Sequence, residues 1–324
     1  MKVLHITNMY PWKEKPWYGI FIANQIKSLD KYAIKNDVYF INGNESKISY
    51  LKALVELKNY RNKYDLIHCH HGWCGIIANL VLKNERKVLS LVGGDLLEKK
   101  ILYKRLLSKV LKSQIHTFDH IIVKSDKMLK ICDSETSDIS CIPNGVNMEL
   151  FNQIEKELCK EKLKLCPDKK YFLFTAAAND KLRTEKRYDI IKKAEIILKS
   201  RGITGFDILF LENLDHKDVP YYINACEAVL LSSDYEGSPN IIKEALACNV
   251  PIISTDVGNV DELVRDLDNC YIVEQSSEVF ANYMEIIMSK SVSLCKGRMR
   301  LKELKLDEES VAKSILSVYQ KILK

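Results

Sequence analysis

The sequence lacks the long apolar segment that a membrane-spanning helix needs. None of its apolar runs approaches the roughly 20 residues that cross a bilayer. The N-terminus, MKVLHITNMYPW, enters a strand-like run directly, without the apolar region and small-residue cleavage site of a signal peptide. The ten cysteines form no CxxC pair, and several lie in apolar runs, namely Cys69, Cys141, Cys226, Cys248 and Cys270. We therefore expect reduced thiols and a cytoplasmic protein.

The signatures of several enzyme classes are also missing. No GxSxG elbow, Walker lysine loop or GxGxxG fingerprint occurs. The formal net charge of +6 is mild for 324 residues. No basic stretch is interleaved with stacking aromatics, so we predict no nucleic-acid partner. Residues 96–114 are more basic and carry leucines at helical spacing. They form either a solvated helix face over a core stripe or a helix in peripheral contact with an anionic membrane.

Strand-like and helix-like segments alternate through two halves of similar size, which predicts an α/β fold with two mostly parallel sheets. A length of 324 residues suits two domains of roughly 150 residues each. The turn PNGVN and the charged stretch after it indicate a linker or domain edge. The last segment places five apolar side chains on one helical face that needs a partner surface: Val311, Ile315, Val318, Tyr319 and Ile322.

The segment DYEGSPNIIKEALAC follows a predicted strand with a small-residue turn and then a helix. Such a turn presents unpaired backbone N–H groups and a helix N-terminus, which favour a phosphate. Glu244, nearly two turns down the helix, would repel a phosphate and suits ribose hydroxyls instead. Glu236, beside the turn, is placed to accept hydrogen bonds from a sugar. The pattern predicts a nucleotide-sugar site; the alternative is a helix cap with two exposed glutamates.

Cations follow the first strand of the second half. Arg183 and Lys186 lie in a loop at the strand end and would neutralise a leaving diphosphate. For Arg187 we favour a solvated position. The acidic pair in DLD, Asp266 and Asp268, is interpreted as a surface turn rather than a metal site.

In the first half, His68 and His70 share one face of a strand, whereas His71 points away. A metal would need a third ligand, and none has suitable spacing, so we expect no metal. His70, at the strand end, is expected to contact the sugar or the acceptor, and His68 to be structural. Asp95 either caps the following helix or accepts from a substrate hydroxyl. Tyr18 and neighbouring aromatics are suited to stack on a sugar or to lie at a membrane interface.

Five segments together resemble the retaining glycosyltransferases of the GT-B fold, family four. EGSPNIIKE matches the E-x7-E element of that family, and CIPNGVNMELF resembles its segment between domains. RTEKRYD resembles its phosphate clamp, DLIHCHHGW its histidine strand and YGIFIANQIKSL its glycine loop near the acceptor. Where many relatives have a histidine, this chain has Val92, so more of the polar role falls to His70.

The resemblance implies two Rossmann-like domains facing a central cleft. The first comprises 1–160, completed by a C-terminal helix at 308–324 that crosses back to it, and the second comprises 161–307. Glu244 would bind the donor ribose, Glu236 the sugar, and Arg183 and Lys186 the departing nucleotide. The diphosphate would lie on the turn formed by Gly237, Ser238, Pro239 and Asn240.

The resemblance also implies main-chain contacts to the base near Asn213 and Leu214, and acceptor contacts from Gly19, Tyr18, His70 and Asp95. Catalysis would involve His70, Glu236, Arg183 and Lys186. It would retain anomeric configuration without a metal or other cofactor, and the leaving phosphate would help to deprotonate the acceptor.

The expected function is transfer of a sugar from a nucleotide sugar, UDP- or GDP-linked, to a glycan or lipid-linked acceptor of a cell-surface polysaccharide. Two alternatives remain. One is a nucleotide-sugar epimerase of the same fold. The other is an inactive subunit that binds a nucleotide sugar.

Overall fold

The computed structural model describes residues 1–97, 102–132, 138–175, 184–212, 214–290 and 294–324, with backbone alone for 102–107. The chain forms two compact units. The first contains Met1–Gly145 and Glu308–Lys324, and the second contains Val146–Asp307. The first unit thus ends at Gly145, within the PNGVN turn and before the expected boundary at residue 160.

The first unit is built on a six-stranded parallel sheet with the order β2-β1-β3-β4-β5-β6. Its strands are rich in Val and Ile, and buried parallel strands take such apolar runs because helices cover both faces. The strands are β1 (Lys2–Thr7), β2 (Lys35–Phe40), β3 (Leu66–His70), β4 (Lys87–Ser90), β5 (His120–Val123) and β6 (Ile139–Cys141).

Helices connect these strands. They are α1 (Ile20–Leu29), α2 (Ser49–Glu56), α3 (Gly72–Val81), α4 (Gly93–Leu96), α5 (Leu102–Gln114) and α6 (Asp126–Cys132). The basic segment 96–114 falls mainly on α5. Its cations Lys99 and Lys100, and the side chains of Lys104 and Arg105, lie outside the described residues. Of the rest, Lys109 is exposed and Lys112 half-buried, while Leu111 packs in the core.

The second unit is built on a parallel sheet of the order β11-β10-β9-β7-β8. Its strands are β7 (Lys170–Phe174), β8 (Phe206–Phe210), β9 (Ala228–Leu231), β10 (Ile252–Ser254) and β11 (Tyr271–Ile272). Its helices are α7 (Lys156–Lys162), α8 (Tyr188–Ser200), α9 (Val219–Asn224), α10 (Asn240–Ala247), α11 (Val260–Val264), α12 (Ser277–Ser289) and α13 (Gly297–Glu303).

The charged stretch that was predicted to be a linker or a domain edge lies in the second unit, shortly after the boundary at Gly145. It forms α7, in which Cys159 is fully buried. The Lys160 ammonium donates to the carbonyls of Pro167 and Lys169, at 2.7 and 2.8 Å. Lysine stems cover apolar surface while their charged ends reach polar groups, so a charged composition is compatible with a packed helix.

The final helix, α14 (Glu308–Leu323), packs against α1 in the first unit. The apolar face predicted from its sequence is buried, with Val311, Ile315, Val318, Tyr319 and Ile322 each at most 7% exposed. The Tyr319 hydroxyl lies 2.5 Å from His68 Nδ1, which ties the helix to β3. None of the helices in the described residues is long and apolar enough to cross a membrane.

Candidate active site

In both sheets the strand order reverses next to the first strand of the unit, between β1 and β3 and between β7 and β9. Ligands of open α/β sheets bind outside the carboxyl ends of the strands at such a switch point. In the second unit, the segment after β7 supplies Lys186 and the segment after β9 supplies Glu236. Both predicted donor residues therefore come to the switch point.

Lys186 and Glu236 form an ion pair there through Nζ and Oε1. Their side chains are only 10% and 16% exposed. Ser233 Oγ donates to the same Glu236 oxygen at 2.9 Å. Ser232 Oγ in turn donates to the Lys186 carbonyl at 2.9 Å and holds the two segments together. The pair places an ammonium and a carboxylate side by side, the combination that a sugar diphosphate needs.

The predicted phosphate turn lies between β9 and α10. Pro239 is the N-cap of α10, and Asn240 is its first residue. Lys243 Nζ donates to Ser238 Oγ at 3.0 Å, and Lys243 is only 1% exposed. This buried ammonium, which sequence reasoning missed, adds positive charge beneath a turn that already has the positive end of a helix dipole.

Gly258 packs directly against this turn. Its φ of +59° is left-handed, and an added Cβ would lie 2.5 Å from the Gly237 carbonyl oxygen. Only glycine combines that backbone conformation with so close an approach. The sequence did not predict this contact, because Gly258 follows β10 whereas the turn that it contacts follows β9.

Glu244 lies on α10 with its side chain 15% exposed, so the alternative of two exposed glutamates is wrong. Its Oε1 lies 3.2 Å from His216 Nε2. The His216 ring packs edge-on against Phe151, with centroids 5.2 Å apart. His216 was not predicted, although it follows Leu214 by two residues in the segment expected to contact the base. Leu214 is half-buried.

Two predicted donor residues, Arg183 and Asn213, lie outside the described residues. Arg187 was predicted to be solvated, but its side chain is held by carboxylates. Its guanidinium contacts both carboxylate oxygens of Asp189, at 2.9 and 3.0 Å, and Asp234 Oδ1 at 3.2 Å. The hydrogen bonds to Asp189 raise the pKa of the Arg187 guanidinium above its ordinary value. Arg187 therefore fixes the start of α8. Asp266 and Asp268 are exposed in the turn before β11, as predicted.

In the first unit, His70 ends β3 at the switch point and is buried. His5, one strand over, is paired with His68 in the β1–β3 register. His5 Nδ1 lies 3.0 Å from His70 Nε2, and His5 Nε2 lies 2.9 Å from Asn36 Oδ1. Since the Asn36 carbonyl oxygen must accept, His5 Nδ1 accepts from His70 Nε2–H. His70 then keeps Nδ1 as an acceptor.

A third histidine therefore lies beside His68 and His70, although the sequence spacing indicated no third ligand. The ring nitrogens of His5, His68 and His70 lie within 4.8 Å of one another, close enough to share a metal ion. His68 contacts Tyr319 OH and Ser90 Oγ, so both its nitrogens have partners. Both nitrogens of His5 also have partners.

Burial lowers the pKa of His5 to about 4 and holds the pKa values of His68 and His70 well below the ordinary value. All three rings are therefore neutral at physiological pH. A neutral ring at the end of β3 is suited to accept a hydrogen bond from a hydroxyl group.

The other predicted acceptor residues follow β1 and β4. Gly19, with φ +67°, is the N-cap of α1, and an added Cβ would lie 2.4 Å from the Met9 carbonyl oxygen. Tyr18 packs edge-on against Trp12, with ring centroids 5.2 Å apart. The Asp95 carboxylate is buried and accepts from the backbone N–H groups of Gly72 and Val92, at 3.1 and 2.9 Å.

His71 does not continue the alternation of β3. Its φ of +85° redirects the chain, and its Nδ1 lies 3.2 Å from Asp95 Oδ1. It lines a groove on the same side as Asn8 and Gly94. Strand alternation ends here, because the backbone leaves the extended region at His71.

Two doubly wound units, the second with the ion pair of Lys186 and Glu236 at its switch point, have the architecture of the GT-B glycosyltransferases. Residues 203–304 match the sequence family described as glycosyl transferases, group 1. The chain has the GT-B fold, and the residues that match the group 1 family lie in its second unit.

Two bacterial proteins are similar to this chain over most of their length. A Bacillus subtilis protein described as a teichuronic acid biosynthesis glycosyltransferase is 22% identical, with 87% of each chain covered. The Escherichia coli UDP-Gal:alpha-D-GlcNAc-diphosphoundecaprenol alpha-1,3-galactosyltransferase is 27% identical, with 71% of this chain and 68% of the relative covered.

Solved structures share the fold at low sequence identity. Sucrose-phosphate synthase of Thermosynechococcus elongatus has a TM-score of 0.78 at 15% identity, over 99% of each chain. Anabaena HepE in complex with UDP-glucose has a TM-score of 0.72 at 15% identity, over 99% of this chain and 100% of that one. The UDP-GlcNAc 2-epimerase of Methanocaldococcus jannaschii has 0.58 at 12%, with 99% and 100% covered.

Proposed function

We propose that this glycosyltransferase moves a sugar from a UDP- or GDP-linked donor to a glycan or lipid-linked acceptor in cell-surface polysaccharide biosynthesis. The observation that carries the proposal is the ion pair between Lys186 and Glu236, beside a phosphate-binding turn that leads to the half-buried Glu244. The relatives named for teichuronic acid synthesis and for galactosyl transfer to a diphosphoundecaprenol acceptor support the acceptor class.

Each donor group has a residue suited to it. The diphosphate lies on the turn from Gly237 to Asn240, where helix N–H groups, Lys186 and Arg183 balance its charge without a metal. The main chain near Leu214 contacts the base. Glu244, held by His216, accepts from the ribose hydroxyls, and Glu236 accepts from the hydroxyls of the transferred sugar.

The proposed reaction retains the configuration at the anomeric carbon. The bond from that carbon to the diphosphate breaks, and the acceptor oxygen bonds to the same face. The acceptor proton passes to the departing phosphate oxygen, whose negative charge Lys186 and Arg183 stabilise. His70, Asp95, Tyr18 and Gly19 would position the acceptor. Peripheral contact with an anionic membrane at the cytoplasmic face would bring a lipid-linked acceptor within reach.

Thermal stabilisation by a panel of UDP, GDP, uridine, guanosine and their common sugar conjugates tests the donor assignment. A ligand at about 100 times its dissociation constant adds roughly 2.7 kcal/mol to the free energy of unfolding. We expect one base series to stabilise the chain in the presence of EDTA, and Lys186→Ala to remove the stabilisation by the diphosphate but not by the nucleoside. No response to any nucleotide would contradict the proposal.

The two alternatives give different products. Incubation of the stabilising nucleotide sugar alone would yield an epimer if the chain were an epimerase, an activity consistent with the shared fold. An inactive subunit would bind the nucleotide sugar and leave it unchanged with every acceptor tested.

A further inference from the structure

A groove of about 750 Å³ opens on the first unit beside α2 and α3. Its volume lies within the range of about 300–1,000 Å³ that is typical of small-molecule sites. Most of its wall is apolar and comes from Leu51, Leu54, Trp73, Ile77 and Leu80. None of the donor-site residues that the structure describes lines it.

The outer wall of this groove is unusually exposed for apolar side chains. Leu51 and Leu80 are 65% and 54% exposed. Ile48 and Val55 are 60% and 65% exposed and lie at helical spacing from Leu51, so one side of α2 is an uncovered apolar stripe. Contiguous exposed apolar surface of this kind marks an interaction site, in contrast to single exposed apolar residues.

One end of the groove is polar. Asn8, His71 and Gly94 line it and follow β1, β3 and β4, so the groove reaches the switch point of the first sheet. Asn8 is 9% exposed, and its Nδ2 donates to Tyr50 OH at 3.0 Å. Its Oδ1 has no hydrogen-bond partner among the described residues. Turning the amide over would only exchange the atom without a partner.

A buried amide with an unmade hydrogen bond costs free energy unless a ligand completes it. The groove therefore provides a polar contact at the strand ends and an apolar wall leading away from it. Lys47, which is exposed, also lines the groove, three residues before Tyr50. One ligand that matches a polar end, a cation and an apolar wall carries a sugar, a phosphate and a hydrocarbon chain.

We propose that this groove, here the isoprenoid groove, binds the hydrocarbon chain of a polyisoprenyl phosphate-linked acceptor. The proposal rests on the function proposed above and names its acceptor class. The chain packs on Leu51, Leu54 and Leu80, the phosphate pairs with Lys47, and Asn8 Oδ1 accepts from a hydroxyl of the acceptor sugar. A helix of a partner protein would cover the apolar wall but would not require the polar end.

Farnesyl phosphate, a short isoprenoid phosphate that disperses in water, is a suitable probe for the full chain. Its binding is measured by calorimetry and by the fluorescence of Trp73, which is 37% exposed in the groove. We expect Leu51→Asp and Leu80→Asp each to weaken binding about tenfold or more, since each replaces an apolar contact by a carboxylate that also repels the phosphate. Trp73→Phe should remove the fluorescence change.

Leu158→Asp is the matched control, because Leu158 is 59% exposed on α7 in the other unit. It should bind farnesyl phosphate as the wild type does. Equal affinity in all three aspartate variants would overturn the proposal. The chain could instead bind phosphatidylcholine vesicles in a way that depends on Leu51 and that farnesyl phosphate does not inhibit. That result would overturn the proposal in favour of a membrane surface. A Leu51-dependent dimer in sedimentation would overturn it in favour of a second copy.

The nucleotide panel separates this proposal from the function on which it rests. Leu51→Asp should keep wild-type stabilisation by the nucleotide sugar, since the groove residues lie in the first unit and the donor residues in the second. If the chain bound the donor and transferred sugar to a soluble glycan but did not bind farnesyl phosphate, only the proposal for the isoprenoid groove would be wrong. If the chain did not bind the donor, the proposed function itself would be wrong.

Discussion

Glu236 and Glu244 each have a basic partner that comes from another loop of the second unit. Lys186 follows β7 and His216 follows β8, whereas both glutamates follow β9. The E-x7-E spacing was sufficient to predict where the two glutamates lie, because a turn and one helix determine their positions. It was not sufficient to predict His216, Lys243 or Gly258, since their roles depend on neighbours in space that no local pattern records.

Glu244→Gln should weaken binding of the stabilising nucleoside diphosphate about tenfold or more, because a hydrogen bond to a charged group contributes about 1.5–3 kcal/mol. His216→Ala should weaken it less, since the carboxylate remains but loses its anchor at 3.2 Å. Calorimetric titration checks both variants.

Glu195→Gln is the control for this comparison. Glu195 also accepts from a basic side chain, Lys199, but on the surface of α8. Its replacement should leave the affinity unchanged. If Glu244→Gln behaved like Glu195→Gln, the assignment of Glu244 to the ribose would be wrong.

At the scale of the helices and strands, the sequence predicts the strands of both sheets and most of the helices, because buried parallel strands and amphipathic helices have clear apolar patterns. α12 and α13 were missed. Their polar and apolar residues are mixed, and α12 is defined by its packing on α8. The charged segment of α7 was predicted to be a linker or a domain edge and not a helix, because composition does not show that Cys159 is buried. The His5 contribution to the histidine cluster follows from strand order, which the alternation of elements does not specify.

The contact between the loop after β10 and the donor turn gives a prediction at this scale. Gly258→Ala should weaken nucleotide binding about tenfold or more, because a methyl group 2.5 Å from the Gly237 carbonyl must displace the turn. Calorimetry with the stabilising nucleoside diphosphate measures the change in affinity.

Gly202→Ala separates this contact from backbone strain. Gly202 also has a left-handed φ, +83°, but an added Cβ meets no atom within 4 Å. Both variants should lose stability, since alanine in this conformation costs roughly 1–2 kcal/mol. Equal nucleotide affinity in the two variants would show that Gly258 does not support the turn.

At the scale of the whole molecule, the buried histidine cluster links stability to pH. Burial lowers the pKa of His5 from 6.5 to about 4. Between these values the unfolded chain binds a proton that the folded chain does not, so the free energy of unfolding falls as the pH decreases. His5 alone accounts for roughly 3 kcal/mol of this loss by about pH 4.

Urea unfolding between about pH 7.5 and pH 4.5 measures this dependence. His5→Gln should be less stable than the wild type at neutral pH, because its hydrogen bonds to Asn36 and His70 are lost, but its stability should depend less on pH. His116→Gln, at an exposed position, should keep the wild-type dependence. A parallel dependence in all three proteins would mean that His5 does not titrate as proposed.

The position of α14 in the first unit has a consequence for biosynthesis. The second unit is one continuous stretch, Val146–Asp307, whereas the first needs Glu308–Lys324 to bury the face that carries Tyr319. On a translating ribosome, the second unit can therefore complete its core first, although its sequence is made later. Until Tyr319 has emerged, His68 lacks its tyrosine partner, and the first unit is the part of the nascent chain that chaperones would recognise.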